Sequence, residues 1–290
     1  MSATRAAVGS APPLHRRPLG ARLSNVALPA FTGLAVLYLF LPIVVMIAFS
    51  FNDPAGRQNI TWQGFTLENY LTVWNRPDIT EPMTTSLIVA VVATLIATAL
   101  GTLIGLALTR YEFRGQGPLN LLIYIPMATP EVILGASLLS LWVTADVQRG
   151  IVTIIIAHVM FNISFVVVTV RARIAGFNRS LEEAAMDLGA DEWTTFRKVT
   201  FPLIFPGILA AALLAFALSI DDYVITSFVS GQTTTFPLWV YGASRFGVPP
   251  EVNVLGTLIF VVAFVLILAQ ILWGRRRNST ERAPALEVSR

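Results

Sequence analysis

Six long apolar stretches decide what this chain can fold into. They run from about Leu28 to Ser50, Thr84 to Thr109, Leu119 to Val143, Ile151 to Val170, Phe201 to Ile220 and Asn253 to Trp273. Each is close to the roughly 20 residues that a helix needs to cross a bilayer. Hydrophobic residues make up 55% of the 290, charged residues only 13%, and the mean hydropathy is +0.69; a soluble domain carries about a quarter charged residues. A membrane barrel would need short alternating strands instead. The expected fold class is therefore an all-α membrane protein with one six-helix domain over residues 28–273. The flanking segments 1–27 and 274–290 are polar and contain arginine and proline, a composition that predicts disorder. The first apolar run is already a full span rather than a short core before a small-residue cleavage site, so no cleaved leader is expected.

Positive charge orients the spans, because loops on the cytoplasmic side carry the excess of arginine and lysine. With the N-terminus inside, sixteen of the twenty basic residues fall on cytoplasmic segments, from Arg5 through Arg110, Arg114, Arg171, Arg173, Arg179, Arg197 and Lys198 to Arg290. The other face keeps Arg57, Arg76, Arg149 and Arg245 against eight acids, a net charge of −4. Both termini and the loop 180–199 are thus expected in the cytoplasm. The high pI reflects this topology and not nucleic-acid binding, since the basic residues flank spans and build no nucleic-acid-binding module.

Several chemistries are excluded by what the sequence lacks. There is no cysteine, hence no disulfide or thiol chemistry. His15 and His158 lie in different segments, so no metal site is expected, and no cofactor. No G-x-x-x-x-G-K-[ST] loop is present, so the chain cannot bind ATP by that route. It is expected to be no enzyme and to take energy from another subunit or from an ion gradient. Gly101 and Gly105 form a small-xxx-small face expected to pack within the bundle. Trp62, Phe65, Leu67, Tyr70, Leu71 and Trp74 can cover one mouth of that bundle. Phe236 to Phe246 is apolar but too short to cross, which predicts a re-entrant or surface segment.

Between the fourth and fifth apolar runs lies a polar island, Ser180 to Ile208. Ser180 followed by Glu183 reads as a capping box, starting a helix at Leu181. Leu181, Ala184, Ala185 and Leu188 form an apolar stripe, with Glu182, Glu183 and Asp187 off it. Gly189 supplies a left-handed residue to end that helix, and Asp191 can cap a second one that carries Trp193 and Phe196 on one face. The product is helix, turn, helix, lying against a membrane. Glu183-Ala184-Ala185 followed by Gly189, then Pro202 and Pro206 entering an apolar run, resembles the EAA loop of permeases from bacterial ATP-binding-cassette importers. That resemblance implies a type I importer permease fold, with Glu183, Ala184, Ala185 and Gly189 in a coupling helix seated in a cleft of the ATPase.

Three acids raise the question of cargo. Glu131 stands near the middle of the third apolar run, directly after Pro130 and close to Pro126, where the prolines should kink or open the helix. A carboxylate at that depth either holds the kink through freed backbone groups or faces a water-filled path. Asp221 and Asp222, followed by Tyr223, end the fifth run. Two acids at a helix C-terminus oppose its dipole, so they are either a solvated terminus or a site compensated by a cation. Ser219 to Phe228, Phe236-Pro237-Leu238, Tyr241 and Gly247 to Asn253 are similar to the spermidine/putrescine permease family. That resemblance, taken with the charge and position of these acids, favours a polycation and an expected substrate path through Glu131, Asp221, Asp222 and Tyr223. It also implies three kinds of partner: a second homologous permease, a cytoplasmic ATP-binding subunit dimer and an extracytoplasmic substrate-binding protein. The function so implied is polyamine import by alternating access. The alternatives are import of another small solute such as iron, sulfate or a sugar, and, from a different class, an ion-gradient-driven secondary transporter, which would leave the EAA loop unexplained.

Overall fold

The structure is a computed structural model that describes residues 19–56 and 58–282. Along the chain the helices are α1 (Leu19–Ser50), α2 (Glu68–Thr72), α3 (Pro77–Arg110), α4 (Gln116–Ala128), α5 (Glu131–Thr144) and α6 (Ile151–Ala175). Then follow α7 (Ser180–Asp187), α8 (Glu192–Thr195), α9 (Phe201–Ile220), α10 (Val224–Val229), α11 (Phe236–Ser244) and α12 (Pro250–Arg282). Among the described residues the β pairing is one bridge, Asn52 to Phe65. Two boundaries differ from expectation. α1 starts at Leu19, inside the expected N-terminal tail, and α12 continues past Trp273 to Arg282; residues 1–18 and 283–290 lie outside the described residues.

Among the described residues, five helices are long and apolar enough to cross a membrane. The third apolar run is not one straight helix. It is α4 and α5, bent by 107° at Thr129 and Pro130, and it makes a sixth span if the pair counts as one. The break follows from backbone chemistry. Pro130 has no N–H, and a residue before proline is pushed out of the helical region; Thr129 is accordingly extended, with φ −82° and ψ 130°. Thr129 repairs the end of α4 itself, its N–H and Oγ1 both donating to the Ile125 carbonyl, at 2.9 and 2.7 Å.

The centre of the bundle is α3, α6 and α9. Where α3 meets α6, Gly101 lies against Val166 and Gly105 against Val170, and Ala97, Val166, Val170, Ile204, Ala211 and Ala215 close a buried cluster with Ile174. Small residues on two of the three helices allow this close approach. A second cluster joins α5 and α10 to α6 through Leu134, Leu138, Ile225, Val229, Ile154 and Phe161. α1 pairs with α12, Met46 Sδ resting against Gly256, and most of its apolar side chains are exposed. α11 does not cross. It lies against α3, with the Phe236 N–H donating to Ser86 Oγ at 2.8 Å.

Three arginines tie the helices at the end of the bundle where α3 finishes. Arg110 reaches Glu182 of α7, Arg171 Nη1 donates to Asn120 Oδ1 at 2.6 Å, and Arg173 donates through Nε and Nη2 to the Leu203 carbonyl at 3.1 and 3.0 Å. At the opposite end Arg76 bridges Asp78 and Glu251, each at 2.9 Å, linking the start of α3 to that of α12.

The two interface glycines should respond differently to alanine. A Cβ on Gly101 would sit 2.6 Å from Val166 Cγ1, whereas one on Gly105 meets nothing closer than 3.5 Å. Gly101→Ala is expected to destabilise by about 1–3 kcal/mol through overpacking. Gly105→Ala should be neutral or stabilising by up to about 1 kcal/mol, since alanine is the better helix former. Thermal unfolding of the two variants in detergent measures the difference.

Candidate functional site

α7 begins one residue earlier than the capping box predicts. Arg179 occupies the cap position, and the Ser180 N–H donates to Asn178 Oδ1 at 3.1 Å. An asparagine two residues ahead forms this local bond readily, so Ser180 is already helical and the reciprocal Ser180–Glu183 pair does not form. Glu183 instead points outward, 3.9 Å from Arg179. The far end of α7 closes as the sequence indicates. Gly189 has φ +88°; its N–H donates to the Met186 carbonyl at 2.9 Å and the Ala190 N–H to Ala185 at 3.1 Å. These two bonds are a Schellman motif, whose C′ residue must be left-handed. Asp191 then caps α8, accepting from the Thr194 N–H at 3.2 Å, and the Thr194 side chain together with that N–H holds its carboxyl below the usual range. The rings of Trp193 and Phe196 stack at 5.9 Å, and a π-helical turn over Phe196–Thr200 leads into α9.

The faces of α7 are inverted relative to an ordinary surface helix. Leu188 is 89% exposed and Leu181 49%, while Glu182 is 8% exposed. An amphipathic helix normally buries its apolar face. Here an acid is turned inward and the stripe Leu181, Ala184, Leu188 is turned out; Met186 and Trp193 are exposed as well. Contiguous exposed apolar surface of this kind marks a contact site. Ala185, on the same turn, is half-buried.

The other sequence-selected residues separate into different environments. Glu131 is exposed at the first turn of α5, where its charge suits the helix N-terminus. The break beside it is closed by backbone bonds, the Ile133 and Leu134 N–H groups donating to the Pro130 carbonyl. Among the described residues no hydrogen bond or ion pair joins Glu131 to Asp221, Asp222 or Tyr223. Packing of α5 on α10 connects their segments, with the Phe228 ring against Gly135.

Asp221 and Asp222 are adjacent but unlike. Asp221 is exposed. Asp222 turns inward: its Oδ2 accepts from the Thr226 N–H at 2.8 Å and Thr226 Oγ1 at 2.6 Å, and lies 3.2 Å from His158 Nε2. Its Oδ1 accepts from the Ile225 N–H at 3.3 Å. The reading of both acids as one solvated or cation-compensated pair therefore needs correction at Asp222, which caps α10 and is compensated by the protein itself. Burial alone would push its carboxyl up, but the donors of His158 and Thr226 outweigh burial and hold it below the ordinary range. His158, considered in the sequence only as an isolated imidazole, also pairs its Nδ1 with Ser219 Oγ at 2.6 Å, and so locks α6 to α9 and α10. A polar residue amid the apolar run of α6 was the signal for this role. Tyr223 is half-buried, its ring 4.6 Å from that of Tyr241, over which Arg245 stacks at 5.3 Å.

Comparison with known proteins bears on what such an arrangement serves. Residues 97–276 match the family described as binding-protein-dependent transport system inner membrane component. The chain belongs to that family of transport permeases. This permease is 39% identical over 242 residues to the spermidine/putrescine transport system permease protein PotC of Escherichia coli K12, covering 83% of its own length and 91% of that relative. It is 38% identical over 254 residues to the putrescine transport system permease protein PotI of the same organism, covering 84% and 90%. PotC of Haemophilus influenzae is 35% identical over 250 residues, covering 86% and 96%. Among solved structures, a bacterial ABC transporter involved in the import of alginate aligns with a TM-score of 0.61 at 18% identity, over 91% of the permease and 99% of that chain. An inward-facing MetNI methionine ABC transporter aligns with a TM-score of 0.54 at 18% identity, over 68% and 93%. The permease therefore has the type I ABC importer fold.

The unequal environments of the two aspartates predict unequal stability effects. Asp222→Ala removes the carboxylate that accepts from the first amides of α10 and from Thr226 Oγ1 and lies against His158, at an expected cost of about 2–4 kcal/mol. Asp221→Asn should stay within about 0.5 kcal/mol of the parent. Thermal unfolding in detergent measures both, and equal losses would contradict the assignment.

Proposed function

We propose that this chain is one of the two permease subunits of an ATP-driven importer that carries polyamines, spermidine or putrescine, into the cytoplasm by alternating access. The observation that carries the docking part is the inverted α7. An apolar face turned away from its own protein is suited to a cleft in another, and the segment 171–198 around it carries Arg171, Arg173, Arg179, Arg197 and Lys198, as a cytoplasmic segment flanking two spans should. In this reading Glu183, Ala184, Ala185 and Gly189 contact the ATP-binding subunit dimer, both termini are cytoplasmic, and a second homologous permease completes the passage. The permease hydrolyses nothing itself. Closure of the ATPase dimer on ATP moves α7, the two permeases open toward an extracytoplasmic binding protein that delivers cargo, and hydrolysis resets them.

The polyamine part is supported by the names of the relatives and by the acids. Glu131 and Asp221 are exposed carboxylates next to a helix break and a helix end, and Tyr223 presents an aromatic ring nearby in sequence. A dication or trication interacts with such charges several-fold more strongly in a low-dielectric passage than in water. Aromatic faces add cation–π attraction for ammonium groups. Asp222 serves the path indirectly, by fixing α10.

Orientation can be read directly in this cysteine-free chain. An impermeant thiol reagent added to intact cells should label Gln232→Cys and leave Asp187→Cys unlabelled; the reverse pattern would overturn the topology. Cargo is tested by competition in vesicles reconstituted with the whole complex. Excess spermidine or putrescine should abolish ATP-dependent uptake of radiolabelled putrescine, while a neutral sugar, sulfate or a ferric salt should not. Asp221→Asn and Glu131→Gln should each lower polycation uptake by roughly tenfold, the effect of losing one to two kcal/mol of charge interaction. Uptake driven by a proton or sodium gradient without ATP would instead indicate a secondary transporter.

A further inference from the structure

Glu182 is the one residue of α7 that is buried, and it is charged. Its two oxygens are both engaged. Arg110, the last residue of α3, donates through Nη1 to Oε2 at 2.5 Å and through Nη2 to Oε1 at 2.7 Å. Thr200, the last residue of the π-helical turn before α9, donates through Oγ1 to Oε1 at 2.5 Å. The Arg110 guanidinium also lies over the Phe177 ring, 5.7 Å from its centroid, at the far end of the turn that precedes α7. One carboxylate thus joins the docking helix to the ends of two membrane helices that are 72 and 18 residues away in sequence.

The chemistry makes this a joint rather than a surface contact. A bidentate guanidinium–carboxylate pair fixes direction as well as distance, and a lysine in its place would supply only a point charge. The side chains of Arg110 and Glu182 are 17% and 11% exposed. Separating two desolvated charges leaves each uncompensated, so the pair resists opening far more than an exposed one. The neighbouring Glu183 shows the contrast, with 61% of its side chain exposed and Arg179 at 3.9 Å. A π-turn is itself a common device at functional positions, and here it places Thr200 where the second prong lands.

We infer that Glu182 is a positioning residue for transport: through Arg110 and Thr200 it makes α7, α3 and α9 move together, so that displacement of the docking helix is delivered to the passage. This rests on the docking role proposed above. It assigns force transmission to the inward acid and leaves partner contact to the outward face.

The test uses the complete complex of both permeases, the ATPase subunits and the binding protein, reconstituted in vesicles, with cargo taken up per ATP hydrolysed as the readout. ATP-dependent uptake by the unmodified complex must be present first; its absence would count against the proposed function and not against the joint. Glu182→Gln keeps size but breaks the ionic bidentate pair. It should still co-purify with the ATPase and hydrolyse ATP, while uptake per ATP falls by about tenfold, within the usual range of coupling between sites. Arg110→Gln should do the same, and the double variant should be no worse than either single one, as expected when both remove one interaction. Unchanged uptake per ATP in Glu182→Gln, or additive losses in the double variant, would overturn the inference. If Glu182→Gln fails to assemble, Thr200→Val decides, since it deletes one prong at nearly constant volume: a lowered ratio supports the joint and an unchanged ratio contradicts it.

Discussion

In a bilayer the backbone has no water to bond, and each unsatisfied amide or carbonyl costs several kcal/mol. That constraint governs most of what this chain does. It makes each crossing element a helix. It also explains the detail at the break between α4 and α5. Thr129 returns two hydrogen bonds to Ile125, and Pro130 offers its carbonyl to two amides of α5. An interruption closed in this way tolerates a sharp bend, and the bend puts Glu131 at a helix start instead of inside an apolar rod.

Polar side chains then decide how the helices are assembled, because apolar packing alone distinguishes poorly between neighbours in lipid. The two ends of α9 show this clearly. At one end Asp222 and His158 bind α6, α9 and α10 together, with Ser219 and Thr226 completing the set. At the other, Glu182 joins α7 to α3 and to the turn before α9. Between them run small residues, Gly101, Ala211 and Ala215 among them, which let the helices approach closely. Each end has a charge that is buried and partnered, and each also has one left facing out, Asp221 at the first and Glu183 at the second. The buried members organise the frame, and the exposed members are free to meet something else.

The apolar runs made the helices legible in the sequence, since length and hydropathy suffice for that. Gly189 was legible too, because few residues accept a left-handed backbone. The start of α7 was not: Asn178 competes with Glu183 for the Ser180 amide, and local pattern does not rank them. Periodicity also placed Glu182 off the apolar stripe without saying which face turns inward. That depends on Arg110 and Thr200, which only the fold brings near. Asp221 and Asp222 look equivalent as neighbours in the chain, and the difference between them is a contact with His158, 64 residues away. The sequence shows His158 as a polar residue in an apolar run, but not which acid it meets.

The account turns on whether the docking helix and the membrane helices behave as one body. Pulsed dipolar spectroscopy between spin labels at Tyr111→Cys, just beyond α3, and Asp187→Cys, at the end of α7, measures this in the assembled complex, to which this chain contributes no native thiol. The account predicts the same distance distribution in the nucleotide-free complex and with ATP trapped. A shift of several ångströms, or a broad second population on nucleotide binding, would mean that α7 slides against α3, and would contradict it.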